Sequence, residues 1–224
     1  MTVKKDYIRP LDLKQGRVDM NHGAGGRAAM QLIEEVFARA FDNEYLRQGD
    51  DGAALPPPPP GHGLVMATDG HVISPIFFPG GDIGCLAVHG TVNDVAMMGA
   101  VPLYLSASFI LEEGLPLADL QRVVQSMAQA AREAGVPVVT GDTKVVEQGK
   151  GDGVFISTTG VGALPPGRRL SGRGARPSSA ARTPTAPASK VSPSWLFVSA
   201  KCALMSGMRG TYEPHVNPLT TKVT

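Results

Sequence analysis

Two cysteines, one tryptophan and no long apolar run are the scarcities that first narrow the reading of this 224-residue chain. Cys85 and Cys202 make neither a disulfide framework nor a metal-ligand spacing. No apolar stretch approaches the roughly 18 residues that cross a bilayer. The charged N-terminus has no signal-peptide apolar region, so a cytoplasmic protein that needs no membrane is expected. A net charge of +1 provides no basic field for nucleic acid. The charge that is present divides unevenly. Residues 1–170 hold 14 Lys and Arg against 19 Asp and Glu, whereas residues 171–224 hold 7 basic residues and a single acid, Glu213. Hydrophobic residues make up 42%, enough for a core, and the length suits one large domain or one domain with part of a second.

The pattern divides the chain into a polar arm (1–20), a structured domain (21–165) and an irregular tail (166–224). Met30, Ile33, Phe37 and Phe41 recur at helical spacing over 27–41. Five prolines at 56–60 exclude helix and inner strand, and favour a stiff exposed connector. Residues 64–68 read as a short strand, 84–98 as a helix and 102–111 as a strand. In 116–134 the stripe Leu120, Val123, Val124, Met127 and Ala131 marks a helix that Gly135 stops. Residues 136–146 and 154–164 read as two more strands. The expected class is α+β, a mixed sheet with helices on one face. From Pro165 the periodicity dissolves, and 168–190 has the composition of disorder.

Chemistry gathers in acidic and glycine-rich clusters. On the helix at 84–98, spacing puts Asp94 among Ile83, Leu86, Ala87, Gly90, Met97 and Met98, on a face expected to be buried. A buried carboxylate needs a cation, a metal or strong donors. The alternative is a backbone cap on a shorter helix, with Asn93 beside it able to meet a phosphate oxygen. In the strand around 140–144, Thr140, Asp142 and Lys144 share one face. They fit either a metal-and-phosphate pair or an ordinary surface ion pair. The run Gly80-Gly81-Asp82-Ile83-Gly84 opens a helix, where bare amides attract anions, as many plain helix entries also do. Asn21-His22-Gly23-Ala24-Gly25-Gly26 also precedes a helix and is no Walker loop, because no Gly-Lys-Ser/Thr follows. Asp50-Asp51 and Asp69 complete a set of acids at turns and strand ends, the oxygen chemistry that magnesium prefers. His89, one turn before Asn93, is either a site residue or a packed histidine. His62 and His71 carry no signal of their own.

Several of these runs, in order over roughly residues 15–170, closely resemble the HypE family of carbamoyl dehydratases, which serve nickel–iron hydrogenase maturation. They are His22–Gly26, Phe77–Gly84, Gly90–Ala100, Phe109–Gly114 and Thr140–Val145. The wider superfamily includes aminoimidazole ribonucleotide synthetase, selenophosphate synthetase and thiamine-monophosphate kinase. The resemblance implies a PurM-like N-terminal domain that forms a homodimer through its strands. It implies ATP and Mg2+ as cofactors. Asp51, Asp69 and Asp94 become candidate magnesium ligands; Gly25, Gly26, Asp82 and Asn93 nucleotide contacts; Asp142 and Lys144 catalytic candidates. It implies as partners a HypF-like carbamoyltransferase and a HypC/HypD-like iron–cyanide scaffold. In such proteins a carbamoyl group on a C-terminal cysteine is dehydrated, with ATP, to a thiocyanate.

The chain departs from that family after about Arg176. A second α/β domain and a terminal Pro-Arg-Ile/Val-Cys are expected, yet the sequence turns to Arg, Pro, Ala and Ser and ends in Val223-Thr224. A frameshifted or truncated member, inactive for lack of the acceptor cysteine, is one expectation. Two others remain open: a non-catalytic dimerisation domain that holds partners, and another ATP-dependent phosphoryl-transfer enzyme.

Overall fold

Four strands carry the domain. In the computed structural model, which describes residues 10–168 and 170, they are β1 (Gly63–His71), β4 (Val101–Glu112), β5 (Val138–Val146) and β6 (Val154–Leu164). Their order is β1-β6-β4-β5. β6 runs antiparallel to both β1 and β4, while β4 and β5 are parallel. A parallel pair needs a crossover, and helix α4 (Leu117–Ala134) supplies it. Its stripe Leu120, Val123, Val124, Met127 and Ala131 is buried as expected, and Gly135 ends it at φ +68°. Phe77–Phe78 and Gly81–Asp82 form a small hairpin (β2, β3) that leads into helix α3 (Ile83–Met97).

α3 and α4 lie side by side on one face of the sheet, so the structure is α+β with a mixed sheet and helices on one face. Three glycines let backbones approach there. A Cβ on Gly84 would lie 2.3 Å from the Val123 carbonyl oxygen of α4. One on Gly162 would lie 2.4 Å from Val95 Cγ1, and one on Gly160 2.9 Å from both Thr91 and Val95. The core between the layers contains Ile83, Val88, Val92, Leu105, Phe109, Leu111, Leu120 and Ile156. The opposite face of the sheet has no helix over it among the described residues, and Leu64, Met66, Val101 and Ile110 are exposed.

Three expectations change. Residues 10–20 are not an extended arm: Val18 is buried, its amide donates to the Leu115 carbonyl, and Arg17 bridges Pro116. The 27–41 helix exists as α1 (Arg27–Leu32), a π-type turn (Ile33–Ala38) and α2 (Arg39–Phe41). It buries Ala29, Leu32, Val36 and Phe37, leaving Met30 and Ile33 exposed. Phe37 then packs against Phe109, the rings tilted by 58° with centroids 4.8 Å apart. Finally, the buried side of α3 runs through Ala87, Val88, Thr91, Val92 and Val95, while Asp94, Met97 and Met98 face outward. The irregular tail beyond residue 170 lies outside the described residues.

Candidate functional site

The first cluster sits where the edge strand β1 meets α3. Asp69 is in register with Thr158 of β6, whose hydroxyl pairs with Thr91 and reaches the Ala87 carbonyl of α3. That register turns Asp69 and His71 towards the helix. The His71 ring is buried, and its Nε2 stands 3.2 Å from Asp69 Oδ2. A Cβ on Gly90 would lie 3.0 Å from both atoms, so this turn of α3 is seated directly on the pair. Asp94 follows one turn later. Its carboxyl is pushed above the usual carboxylate range by partial burial first and by the charge of Asp69 second, with His71 opposing. Asp94, with its proton affinity raised, and the Asp69 carboxylate beside it form a seat for a cation.

The second cluster lies along β5, the other outer strand. A cavity of about 290 Å³ opens between β5 and the N-terminal helix. Its inner wall is apolar, with Ile33, Phe37, Phe41 and Phe109, and its rim carries His22, Gly25, Thr140, Asp142 and Lys144. Lys144 Nζ lies 3.1 Å from the Asp142 carboxylate, and both side chains are exposed. The glycine-rich turn reaches the rim because Asp19 caps the short 3-10 helix Met20–Gly23 by accepting from the Asn21 amide. In return the Asp19 amide donates to His22 Nδ1. Gly23 allows the turn to press on β5: a Cβ there would be 2.9 Å from the Val145 amide nitrogen.

The remaining candidates divide. The Asp82 carboxylate accepts from the Gly84 and Cys85 amides at 2.8 and 3.1 Å, and so caps α3 from a buried position. Gly26 is the residue before α1, and Asn93 is half-buried beside Asp94. Asp51 is exposed in the segment before the prolines, away from both clusters' contacts. His89 is buried within α3. Cys85 is half-buried, and burial pushes its thiol up. His71, which carried no signal in the sequence, is a member of the first cluster, visible only once β1 and α3 are docked.

The acids therefore do not converge within one chain. Asp69 and Asp94 lie at the β1 edge on the helix-covered face. Asp142 is in register with Ser108, Ser108 with Ser157 and Ser157 with Gly70, one residue out of phase with Asp69, so it belongs to the opposite face. Three strand spacings, about 14 Å, separate the outer strands. Among the described residues, no three His, Cys, Asp or Glu side chains gather as a metal cage. Nor is any helix among them long and apolar enough to cross a membrane. The donor set at β1 still fits magnesium, which binds through one or two carboxylates and completes its octahedron with water and phosphate oxygens.

Comparison with known proteins agrees with the α+β fold. The family model for the N-terminal domain of AIR synthase related proteins matches residues 49–164. A carbamoyl dehydratase HypE from Cupriavidus necator is 72% identical over 179 residues, which cover 80% of this chain and 51% of the relative. A crystal structure of the hydrogenase maturation protein HypE in complex with ATP superposes with a TM-score of 0.67 at 56% identity, covering 71% of this chain and 47% of that one. A HypE–HypF complex superposes with a TM-score of 0.50 at 56% identity, covering 66% and 47%. The chain thus spans about half the length of the curated relatives it matches. The fold is the PurM-like one expected from the motifs, and the chain belongs to the AIR synthase related family through that family's N-terminal domain.

Proposed function

We propose that this chain is the nucleotide-binding half of a carbamoyl dehydratase of hydrogenase maturation, acting in the cytoplasm. The observation that carries the reading is the pairing of a two-carboxylate seat at Asp69 and Asp94 with an apolar cavity rimmed by Lys144. Two relatives 72% identical to this chain are named carbamoyl dehydratase HypE, and a HypE protein was solved with ATP bound. Magnesium, when bound, neutralises charge on the phosphates. This chain's residues do the rest: Asp69 and Asp94 hold the cation, Lys144 meets a phosphate oxygen as a point charge, and Asp142 keeps that lysine near the rim. The cavity's apolar wall accepts the base, and the glycine-rich turn lies beside it. Asp51, Gly26 and Asn93 stand as secondary candidates, and Asp82 serves this site by holding the start of α3.

In the full reaction, a carbamoyl oxygen on a cysteine sulfur takes the γ-phosphoryl group, releasing ADP, and departs as phosphate while the nitrogen gives up both its hydrogens as protons, leaving sulfur bonded to a nitrile carbon. A phosphate ester leaves readily where an amide oxygen does not. Cys85 is not the acceptor, because its sulfur donates to the Asp82 carbonyl within the α3 cap. A HypF-like carbamoyltransferase supplies the carbamoyl group, and a HypC/HypD-like scaffold receives the cyanide. The described domain is expected to bind ATP without forming thiocyanate.

The distance between the two clusters supports a homodimer. β1 is an unpaired edge among the described residues, and the open sheet face exposes Leu64, Met66 and Val101. Pairing two copies offers a way to bring the acids of one to the Asp142–Lys144 rim of the other. Binding of a fluorescent ATP analogue, with magnesium and with EDTA, tests the reading. Uptake that requires magnesium and is lost in Lys144→Ala supports it; a folded chain that takes up no nucleotide contradicts it. Retained capture of a carbamoyltransferase without nucleotide uptake would favour the non-catalytic dimerisation domain.

A further inference from the structure

We infer that His71 is a positioning residue that fixes the Asp69 carboxylate for a divalent cation, an inference that rests on the magnesium–nucleotide reading above. The geometry restricts the histidine to that task. The imidazole Nε2 stands 3.2 Å from Asp69 Oδ2, an ion-pair contact. The other nitrogen, Nδ1, is buried with no hydrogen-bond partner. The ring is 6% exposed and so presents no free face to a ligand. A buried polar atom left unpartnered is costly. The ring is held in place by β1, whose last residue is His71, by the register His71–Ile156 with β6, and by Gly90 of α3 above it.

Asp69 is correspondingly fixed at both oxygens. Oδ1 accepts from the Gly70 amide at 2.8 Å, and Oδ2 stands 3.2 Å from His71 Nε2 in an ion-pair contact. Each carboxylate oxygen has a second lone pair. One side of the group thus remains free for a cation while its rotamer is already set, and the carboxylate is 39% exposed and reachable. Asp94, whose carboxyl feels both Asp69 and His71, lies one turn beyond Gly90 on α3. An outer partner that orients a ligating carboxylate before the metal arrives raises metal affinity, and losing such a partner costs about 10- to 100-fold. Gly90 belongs to the device, since a Cβ there would come to 3.0 Å from both Asp69 Oδ2 and His71 Nε2 and press on their contact.

The test uses the full 224-residue chain with Mn2+ as the probe, titrated by electron paramagnetic resonance with a non-hydrolysable ATP analogue present. Wild type, Asp69→Asn, His71→Leu, His71→Gln and Gly90→Ala are compared, with metal-free melting recorded for each. The expected result is loss of binding in Asp69→Asn and about tenfold weaker binding in His71→Leu and Gly90→Ala. His71→Gln, whose amide can donate to the same oxygen, recovers most of the affinity while melting like His71→Leu. Wild-type affinity in His71→Leu, with binding lost in Asp69→Asn, overturns the inference and leaves the nucleotide reading standing. Affinities that follow melting temperature alone, with no rescue by glutamine, also overturn it. No Mn2+ binding in folded wild type removes the nucleotide reading itself, and this inference with it.

Discussion

The β1–α3 corner and the β5 rim contain the same kinds of side chain and treat them in opposite ways. At the corner, Asp69 has both oxygens engaged, His71 is buried, and Asp94 has its proton affinity raised by its surroundings. At the rim, Asp142 and Lys144 are exposed, and they pair with one another at 3.1 Å. The corner is set by the packing of a helix on a sheet. The rim is set by one strand edge and by a glycine-rich turn that rests on it. The difference suggests a division of labour in which the metal is met by a prepared seat and the phosphates by an adaptable cation. Changes to the corner should disturb fold and binding together, whereas changes to the rim should disturb binding alone.

Breaking the corner should give the largest effect. Gly162→Val would drive a side chain into Val95 and the Val101 carbonyl, lifting α3 from β6. Overpacking of this kind costs about 3 kcal/mol. Chemical denaturation should show that loss, together with loss of nucleotide uptake. Lys144→Ala comes next: nucleotide affinity should fall while the denaturation midpoint stays within about 0.5 kcal/mol of wild type, because an exposed ion pair contributes little to folding. A parallel fall in stability would mean that the rim is structural after all.

How much of this was legible in the chain depends on packing geometry. α4 buries one stripe, so its period alone gave its limits and its face. α3 packs against both the sheet and α4, and its apolar residues occupy most of its circumference. Spacing alone therefore placed Asp94, Met97 and Met98 on the wrong side. The N-terminal helix was misphased because the π-type turn at Ile33–Ala38 shifts the register partway along. His71 was silent because a lone histidine at a strand end acquires meaning only when Gly90 and Asp69 are brought to it. The Asp142–Lys144 pair was readable, since alternation along a strand fixes which residues share a face.

A smaller effect tests the link between β5 and β6. Glu112 accepts from the Gly149 and Gly153 amides at 2.6 and 2.9 Å. Those bonds, Gly153 first, hold its carboxyl below the usual glutamate range. A depressed folded value means that the stabilisation is present above the unfolded value and is lost as pH falls through the folded one. Amide exchange at Gly149 and Gly153, corrected for its intrinsic pH dependence, should show lower protection once the pH falls below the ordinary glutamate range. Glu112→Gln should remove that pH dependence. The smallest expected change is Asp142→Asn, which should leave the melting temperature within about one degree.

The central claim is that one nucleotide site is assembled from the acid corner of one copy and the lysine rim of another. The direct measurement mixes Asp94→Asn and Lys144→Ala chains, each deficient in Mg-ATP uptake alone, and titrates the mixture by calorimetry after subunit exchange. Random pairing makes half the dimers mixed, each with one intact site, so about one quarter of the wild-type capacity should return. A mixture that binds no better than its two components would contradict the claim.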